Sequence, residues 1–239
     1  MTVQEIQNKY HLAFSDLRFE EETHSYFLHG QRLPSVSSLI DNHYAKVDFT
    51  PMKKAIAIRE NTSAEEIQSR WNKLRDDACE KGTDTHLYAE DYTGVEIPDS
   101  PTKISAKIFL DELPEYFEIA IREARMFSKL FRYAGTSDLI LKDKRYNTLV
   151  IADYKTNKDL FKNYGQYMYA PFQDKIVCPY SKYELQLSYY QILLEDLGYK
   201  VSGRYIIHLL DADKCQSGTK PYLIYKTPDH TSELKELMK

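Results

Sequence analysis

The 239-residue chain holds only three cysteines, Cys79, Cys178 and Cys215, widely separated and odd in number. Neither a disulfide framework nor a four-cysteine metal site can be built from them, and that usage predicts a reducing, cytoplasmic setting. No apolar run approaches the roughly 20 residues that span a bilayer, so no membrane partner is expected. Met1 to Phe14 lacks the basic-then-apolar order of a secretion signal and the Arg-rich, acid-free character of a transit peptide. Charge of one sign is not in excess, since 32 basic and 36 acidic residues give a net −4. The overall field therefore does not mark a polyanion ligand, although a channel can still be locally positive. A Walker A loop and helicase motifs are missing, which excludes an ATP-driven motor and a nucleotide cofactor. Internal repeats, low-complexity tracts and Gly/Ser linkers are missing too, and a single domain is expected.

What is present is a globular composition, 42% hydrophobic and 28% charged, unusually rich in aromatics: 20 Tyr, 10 Phe and one Trp. Tyrosine offers a stacking face with a polar tip, useful against bases and equally suited to a half-buried core position. Residues 1–46 read as a small β-hairpin unit, with Leu17–Phe19 and Tyr26–Leu28 flanking a polar stretch and Ser35 placed to cap a short helix. Residues 47–125 read as a helical insertion. Pro51 suits a first helical turn, and Ser63 with Glu66 forms a capping box. Ile67, Trp71, Leu74 and Ala78 make one apolar face, a fresh helix starts after Gly82, and Ile104 to Arg125 is helical again with a break near Pro114. From 126 to 239 the period changes: Met126–Tyr133, Gly135–Leu141 and Thr148–Thr156 are strand candidates. A long loop over 157–179, a helix over Tyr183–Leu197 closed by Gly198, late strands at Val201–Leu210 and Tyr222–Tyr225, and a terminal helix from Ser232 complete the chain.

The chemistry concentrates between Tyr133 and Lys155. Asp153 and Lys155 stand two apart on one strand and share a face, and Asp138 joins them if its strand pairs through the 142–147 turn. Two carboxylates converging are what Mg²⁺ requires, because it takes few protein ligands and keeps several waters. A lysine beside them can orient or deprotonate a water and neutralise charge on a phosphate. Asp153 ends an apolar strand, where a carboxylate needs a partner or a metal. Further on, Gln186 and Tyr190 are spaced i, i+4 and share a helix face. In the helical region Lys53, Lys54, Arg59, Arg70, Trp71 and Arg75 put cations beside an aromatic, which suits a single strand. Glu65, Glu66, Asp76 and Asp77 in the same stretch fit an exposed, salt-bridged helix somewhat better.

These segments resemble a family. Gly82-Thr83-Asp84-Thr85-His86, Tyr133-Ala134-Gly135-Thr136-Ser137-Asp138, Ile151-Ala152-Asp153-Tyr154-Lys155-Thr156 and Gln186-Leu187-Ser188-Tyr189-Tyr190 are similar, in order, to the motifs of the RecB-like branch of PD-(D/E)XK nucleases. The opening hairpin, Thr23–Phe27 to Leu33–Ser37, resembles the N-terminus of phage-type exonucleases and mitochondrial genome maintenance exonucleases.

The resemblance implies an α/β fold with a restriction-endonuclease-like mixed central sheet flanked by helices and a helical insertion over the active-site cleft. It implies a metal-dependent DNA exonuclease acting on single-stranded DNA or DNA ends. A structure-specific endonuclease, or a non-catalytic DNA-binding or recombination-partner protein, are the alternatives. His86, Asp138, Asp153 and the Tyr154 carbonyl would hold Mg²⁺ or Mn²⁺, and imidazole favours manganese. Glu123, placed on a helix before the sheet, is a further candidate, its neighbours Arg122 and Arg125 suiting a solvated face as well. Lys155 would position the attacking water, while Gln186 and Tyr190 would hold the scissile phosphate or the lysine. The helical region would admit single strands, and a recombinase, helicase or single-strand-binding protein would be a partner. If the protein is phage-encoded, its setting would be the host cytoplasm. Some branch members carry a four-cysteine iron–sulfur cluster, which three scattered cysteines cannot hold.

Overall fold

The computed structural model describes residues 1–239. Seven helices and two sheets follow the chain as α1 (Val3–Phe14), β1 (Leu17–Glu20), β2 (Ser25–Leu28), β3 (Gln31–Leu33), α2 (Val36–Asp41), α3 (Thr50–Glu60), α4 (Ala64–Asp91), α5 (Pro101–Asp111), β4 (Phe117–Ser128), β5 (Tyr133–Asp143), β6 (Thr148–Lys155), α6 (Pro179–Asp196), β7 (Val201–Leu209), β8 (Tyr222–Lys226) and α7 (Thr231–Leu237). No helix is long and apolar enough to cross a membrane. The central sheet runs β4-β5-β6-β7-β8 and is mixed: β6 and β7 are parallel, joined through α6, and the remaining neighbours are antiparallel. The small sheet β1-β2-β3 is antiparallel and is tied to the large one where the Ala134 amide donates to the Pro34 carbonyl at 2.9 Å.

Alternation along the strands builds two cores. On β6, Leu149 and Ile151 enter a cluster formed with α1, α2, α6 and the small sheet, while Val150, Ala152 and Tyr154 enter a second cluster with the end of α4 and with α5. Asp153 and Lys155 continue the Leu149–Ile151 row, so they face α6, as their two-residue spacing predicts. The 142–147 connection does close a β5–β6 hairpin, with Asn147 in the left-handed region at φ 53°.

Several elements differ from the sequence reading. The chain opens with a helix rather than a β unit: Thr2 accepts from the Glu5 amide and Glu5 bonds back to Thr2, a full capping box, and Ile6, Tyr10 and Phe14 form its buried face. Gly82 does not break the helix. α4 runs unbroken for 28 residues, because one internal glycine costs only about 1 kcal/mol against a hydrogen-bonded helix already in place. Of its proposed apolar face only Ile67 is buried; Leu74 and Ala78 belong to residues 73–80, all of which are exposed. Residues 117–125 are strand, not helix, so the helical run ends at Asp111 and Glu123 sits in the sheet. The Met126–Tyr133 strand candidate divides into the end of β4, a turn at 129–132 and the start of β5.

Candidate active site

β5 and β6 supply the centre of the site. Their register pairs Leu139 with Ala152, which sets Asp138 opposite Asp153. The neighbouring register pairs Arg122 with Leu139 and Ala124 with Ser137, which sets Glu123 opposite Asp138. Three carboxylates therefore stand in a row across three adjacent strands. Glu123 adopts φ 46°, a left-handed conformation that disfavours a residue with a Cβ and concentrates at functional sites. It follows Arg122, which donates to the carbonyls of Ala89 and Tyr92 at 2.5 and 3.1 Å and ties β4 to the end of α4.

His86, on the last third of α4, brings its Nδ1 to 3.2 Å from Asp138 Oδ1. Its ring meets Tyr154 edge to face, with centroids 5.9 Å apart. The Tyr154 amide donates to the other Asp138 oxygen at 2.6 Å. Lys155 Nζ donates to Asp153 Oδ2 and stands over the Tyr183 ring at 4.3 Å. The Gln186 amide donates to the Tyr190 hydroxyl at 2.8 Å, and Gln186 Oε1 is buried without a partner. One pocket of about 220 Å³ collects His86, Glu123, Asp138, Asp153, Lys155, Gln186 and Tyr190. Gly135 lies in its wall, where an added Cβ would come within 2.7 Å of the Tyr190 ring and 2.8 Å of Val36. The glycine in that motif thus makes room for Tyr190 rather than supplying a turn.

The electrostatics follow from burying this many charges together. Burial opposes ionisation of Asp138, but His86, Lys155 and the Tyr154 amide outweigh it and hold its pKa below the usual value. Burial and then repulsion from Asp138 raise Asp153, against the pull of Lys155. Burial, Asp138 and Glu90 push Glu123 up to about 7. Burial works against charge on His86, yet Asp138 more than compensates and raises it. Burial likewise opposes charge on Lys155, but Asp153 prevails, so the ammonium keeps its proton. Lys155 is accordingly a fixed cation, suited to orienting and neutralising rather than to abstracting a proton.

The donor set fits a hard or borderline divalent ion. His86, Glu123 and Asp138 each offer a ligand atom, all within 4.8 Å of one another; the carboxylates suit Mg²⁺ and Mn²⁺ alike, and the imidazole suits Mn²⁺ better than Mg²⁺. Asp153 lines the same pocket with Lys155 engaged on it.

Of the residues the sequence singled out, the structure brings His86, Asp138, Asp153, Lys155, Gln186 and Tyr190 to one pocket, together with Glu123 from a strand instead of a helix. His24 and Tyr26 of the small sheet line it as well, and Tyr26 reaches Thr136 through its hydroxyl at 2.8 Å. Sequence reasoning missed both as site residues, although Thr23–Phe27 lay within a segment it had marked. The cationic helix residues take the exposed, salt-bridged arrangement that the sequence also allowed. Arg59 pairs with Glu60 at 3.2 Å, Arg70 with Glu60 at 2.9 Å and with Glu66, and Arg75 with Asp76 at 2.8 Å. Lys53 donates to Gln68 at 3.2 Å, Trp71 stacks edge-on with Phe49, and Lys54 is exposed. Neither family models nor curated proteins yield a match to this chain.

Proposed function

We propose that the protein is a divalent-metal-dependent nuclease that hydrolyses phosphodiester bonds in DNA, acting on single strands or ends. The observation that carries this reading is the meeting of Asp138, Asp153 and Lys155 on one sheet face, with His86 and Glu123 alongside and Gln186 and Tyr190 opposite. His86, Glu123 and Asp138, with Asp153, would hold the ion, which supplies charge for the developing phosphorane and lowers the pKa of water.

The chain's own groups do the rest. The Lys155 ammonium, anchored by Asp153, aims the attacking water and offsets charge on the non-bridging phosphate oxygens. Against the burial that opposes its charge, the Asp153 carboxylate beside it raises its pKa, which favours that role over proton abstraction. Asp138, bonded to the Tyr154 amide and to His86, is fixed in one rotamer. Gln186 keeps a free carbonyl and Tyr190 a hydroxyl at the wall, and these orient a phosphate or a water by hydrogen bonding. Burial of the cluster in a sheet packed on both faces strengthens each of these interactions relative to water.

Digestion of end-labelled single- and double-stranded oligonucleotides with Mg²⁺, Mn²⁺ or chelator tests the reading. Cleavage should require metal, and Asp153→Asn and Lys155→Ala should each lower it by orders of magnitude while oligonucleotide binding survives. Undiminished turnover in either variant refutes the assignment. Circular single-stranded DNA separates the modes, because an enzyme that needs a free end leaves it intact.

A further inference from the structure

Outside the pocket the chain carries an aromatic surface that the hydrolytic reading does not use. Between the segment leading into α3 and the loop after β6 lies a groove of about 530 Å³, lined by Tyr44, Lys46, Phe49, Asp159, Lys162 and Tyr164 among others. Phe49 and Tyr164 are 38% and 40% exposed and meet edge to face at 4.9 Å. Phe49 also meets Trp71, the only tryptophan, at 6.2 Å. An edge-to-face pair covers one ring face with the other ring's edge and leaves the remaining faces to solvent, where they suit flat, weakly hydrated partners.

Three exposed lysines, Lys46, Lys54 and Lys162, stand around these rings against two acids, Asp48 and Asp159, and Lys162 lies over the Tyr164 ring at 5.8 Å. The ion pairs nearby are Lys182–Asp41 and Lys175–Glu184, whereas Lys46, Lys54 and Lys162 take part in none and are exposed. The two neighbouring acids are occupied locally, Asp48 by the Thr50 amide at 2.9 Å and Asp159 by the Phe161 amide at 2.8 Å. On α4 the reverse holds, since its arginines are already paired with acids of the same helical region. Tyr183 links the loop after β6 to Lys155 of the pocket. The ring of Tyr183 lies beneath Lys155 at 4.3 Å, and its hydroxyl holds Asn157 at 2.9 Å. Lys162 follows Lys155 by seven residues, at most ~25 Å of chain.

We propose that this groove binds single-stranded nucleic acid, with bases stacked on Phe49, Trp71 and Tyr164 and phosphates held by Lys46, Lys54 and Lys162. It deepens the nuclease reading, on which it rests, by assigning the strand's path away from the pocket to this groove instead of the α4 arginines. Stacking gives affinity without sequence preference and demands unpaired bases, since a duplex presents no base faces.

The single tryptophan makes the test direct. Oligo(dT) is titrated into the full-length protein in chelator while Trp71 emission is followed, and labelled oligo(dT) is used for the variants. Quenching at saturation is expected. Phe49→Ala with Tyr164→Ala should weaken Kd about tenfold or more. Lys46→Glu with Lys162→Glu, both on exposed side chains, should weaken it comparably and lower the salt slope by about 1.4, at ~0.7 per phosphate contact. Unchanged Kd in a folded double variant, indifferent Trp71 emission, or equal competition by a duplex overturns the proposal. Metal-dependent cleavage by the wild-type protein, run in parallel, separates the two readings: if it persists in any of those cases, only the groove assignment fails.

Discussion

Glu123 gives the sharpest quantitative handle on the site. Its carboxyl is raised from 4.5 to about 7 by burial and by the facing acids Asp138, Glu90 and Asp153. The unfolded chain releases this proton near 4.5 while the folded protein retains it, so apo stability falls as pH rises from about 4.5 and the loss is complete above about 7. At about 1.4 kcal/mol per pH unit the ceiling is roughly 3 kcal/mol, and partial solvent contact of the carboxyl brings it to ~1–2 kcal/mol. For a domain of this size that corresponds to ~2–8 °C in Tm. Glu123→Gln removes the titration, so its melting temperature in chelator should exceed that of wild type at pH 8 and converge with it at pH 5. With Mn²⁺ present the order at pH 8 should reverse, because the ionised carboxylate then has a cation. The measurement is thermal unfolding at the two pH values with chelator or Mn²⁺. A variant that tracks wild type at both pH values in chelator would refute the argument that Glu123 is held against uncompensated charge.

Other substitutions read neighbouring parts of the same geometry. Gly135→Ala pushes a methyl against Tyr190 and Val36, and should destabilise the protein by about 1–3 kcal/mol in chemical denaturation, with cleavage falling as Tyr190 is displaced; an unaltered midpoint would show that the wall is slack. His86→Ala should weaken Mn²⁺ binding about tenfold or more by calorimetry and Mg²⁺ binding less, since imidazole suits manganese better; equal losses for both ions would remove His86 from the ligand set.

Much of this geometry was legible in the chain because it rests on local rules. Ser35 caps α2 through the Ser38 amide at 3.2 Å, Gly198 follows α6 at φ 77°, and period two places Asp153 and Lys155 together. The first helix is equally legible, since Thr2, Glu5, Ile6, Tyr10 and Phe14 form a capping box and a helical face. β4 is a different case. Phe117–Ser128 includes Ala120, Arg122, Glu123, Ala124 and Arg125, residues that favour helix by themselves, and its extended state comes from pairing along the length of β5, a non-local cause. Because that strand was read as helix, the row Glu123–Asp138–Asp153 was invisible. The exposed middle of α4 was misjudged for a related reason: spacing identifies a face, but only a neighbour buries it, and residues 73–80 have none.

The charges in that row are not matched one for one, as a purely structural network would have them. Buried ion pairs persist when each charge has a partner, because an unpaired one is strongly destabilising. Asp153 has Lys155 and Asp138 has His86, but Glu123 faces Asp138, Asp153 and Glu90 with no cation beyond the shared imidazole. The nearest arginine on its strand, Arg122, spends its guanidinium on the carbonyls of Ala89 and Tyr92. A scaffold selected for stability alone would have an apolar or amide side chain there, and Glu123 is held in a left-handed conformation as well. Of these two unfavourable choices at one position, a bound cation would relieve the charge, which supports the proposed role in binding. That reasoning ties the metal reading to a sign: Glu123→Gln should stabilise the empty protein at pH 8 and destabilise the loaded one, whereas a purely structural carboxylate would destabilise in both states when replaced.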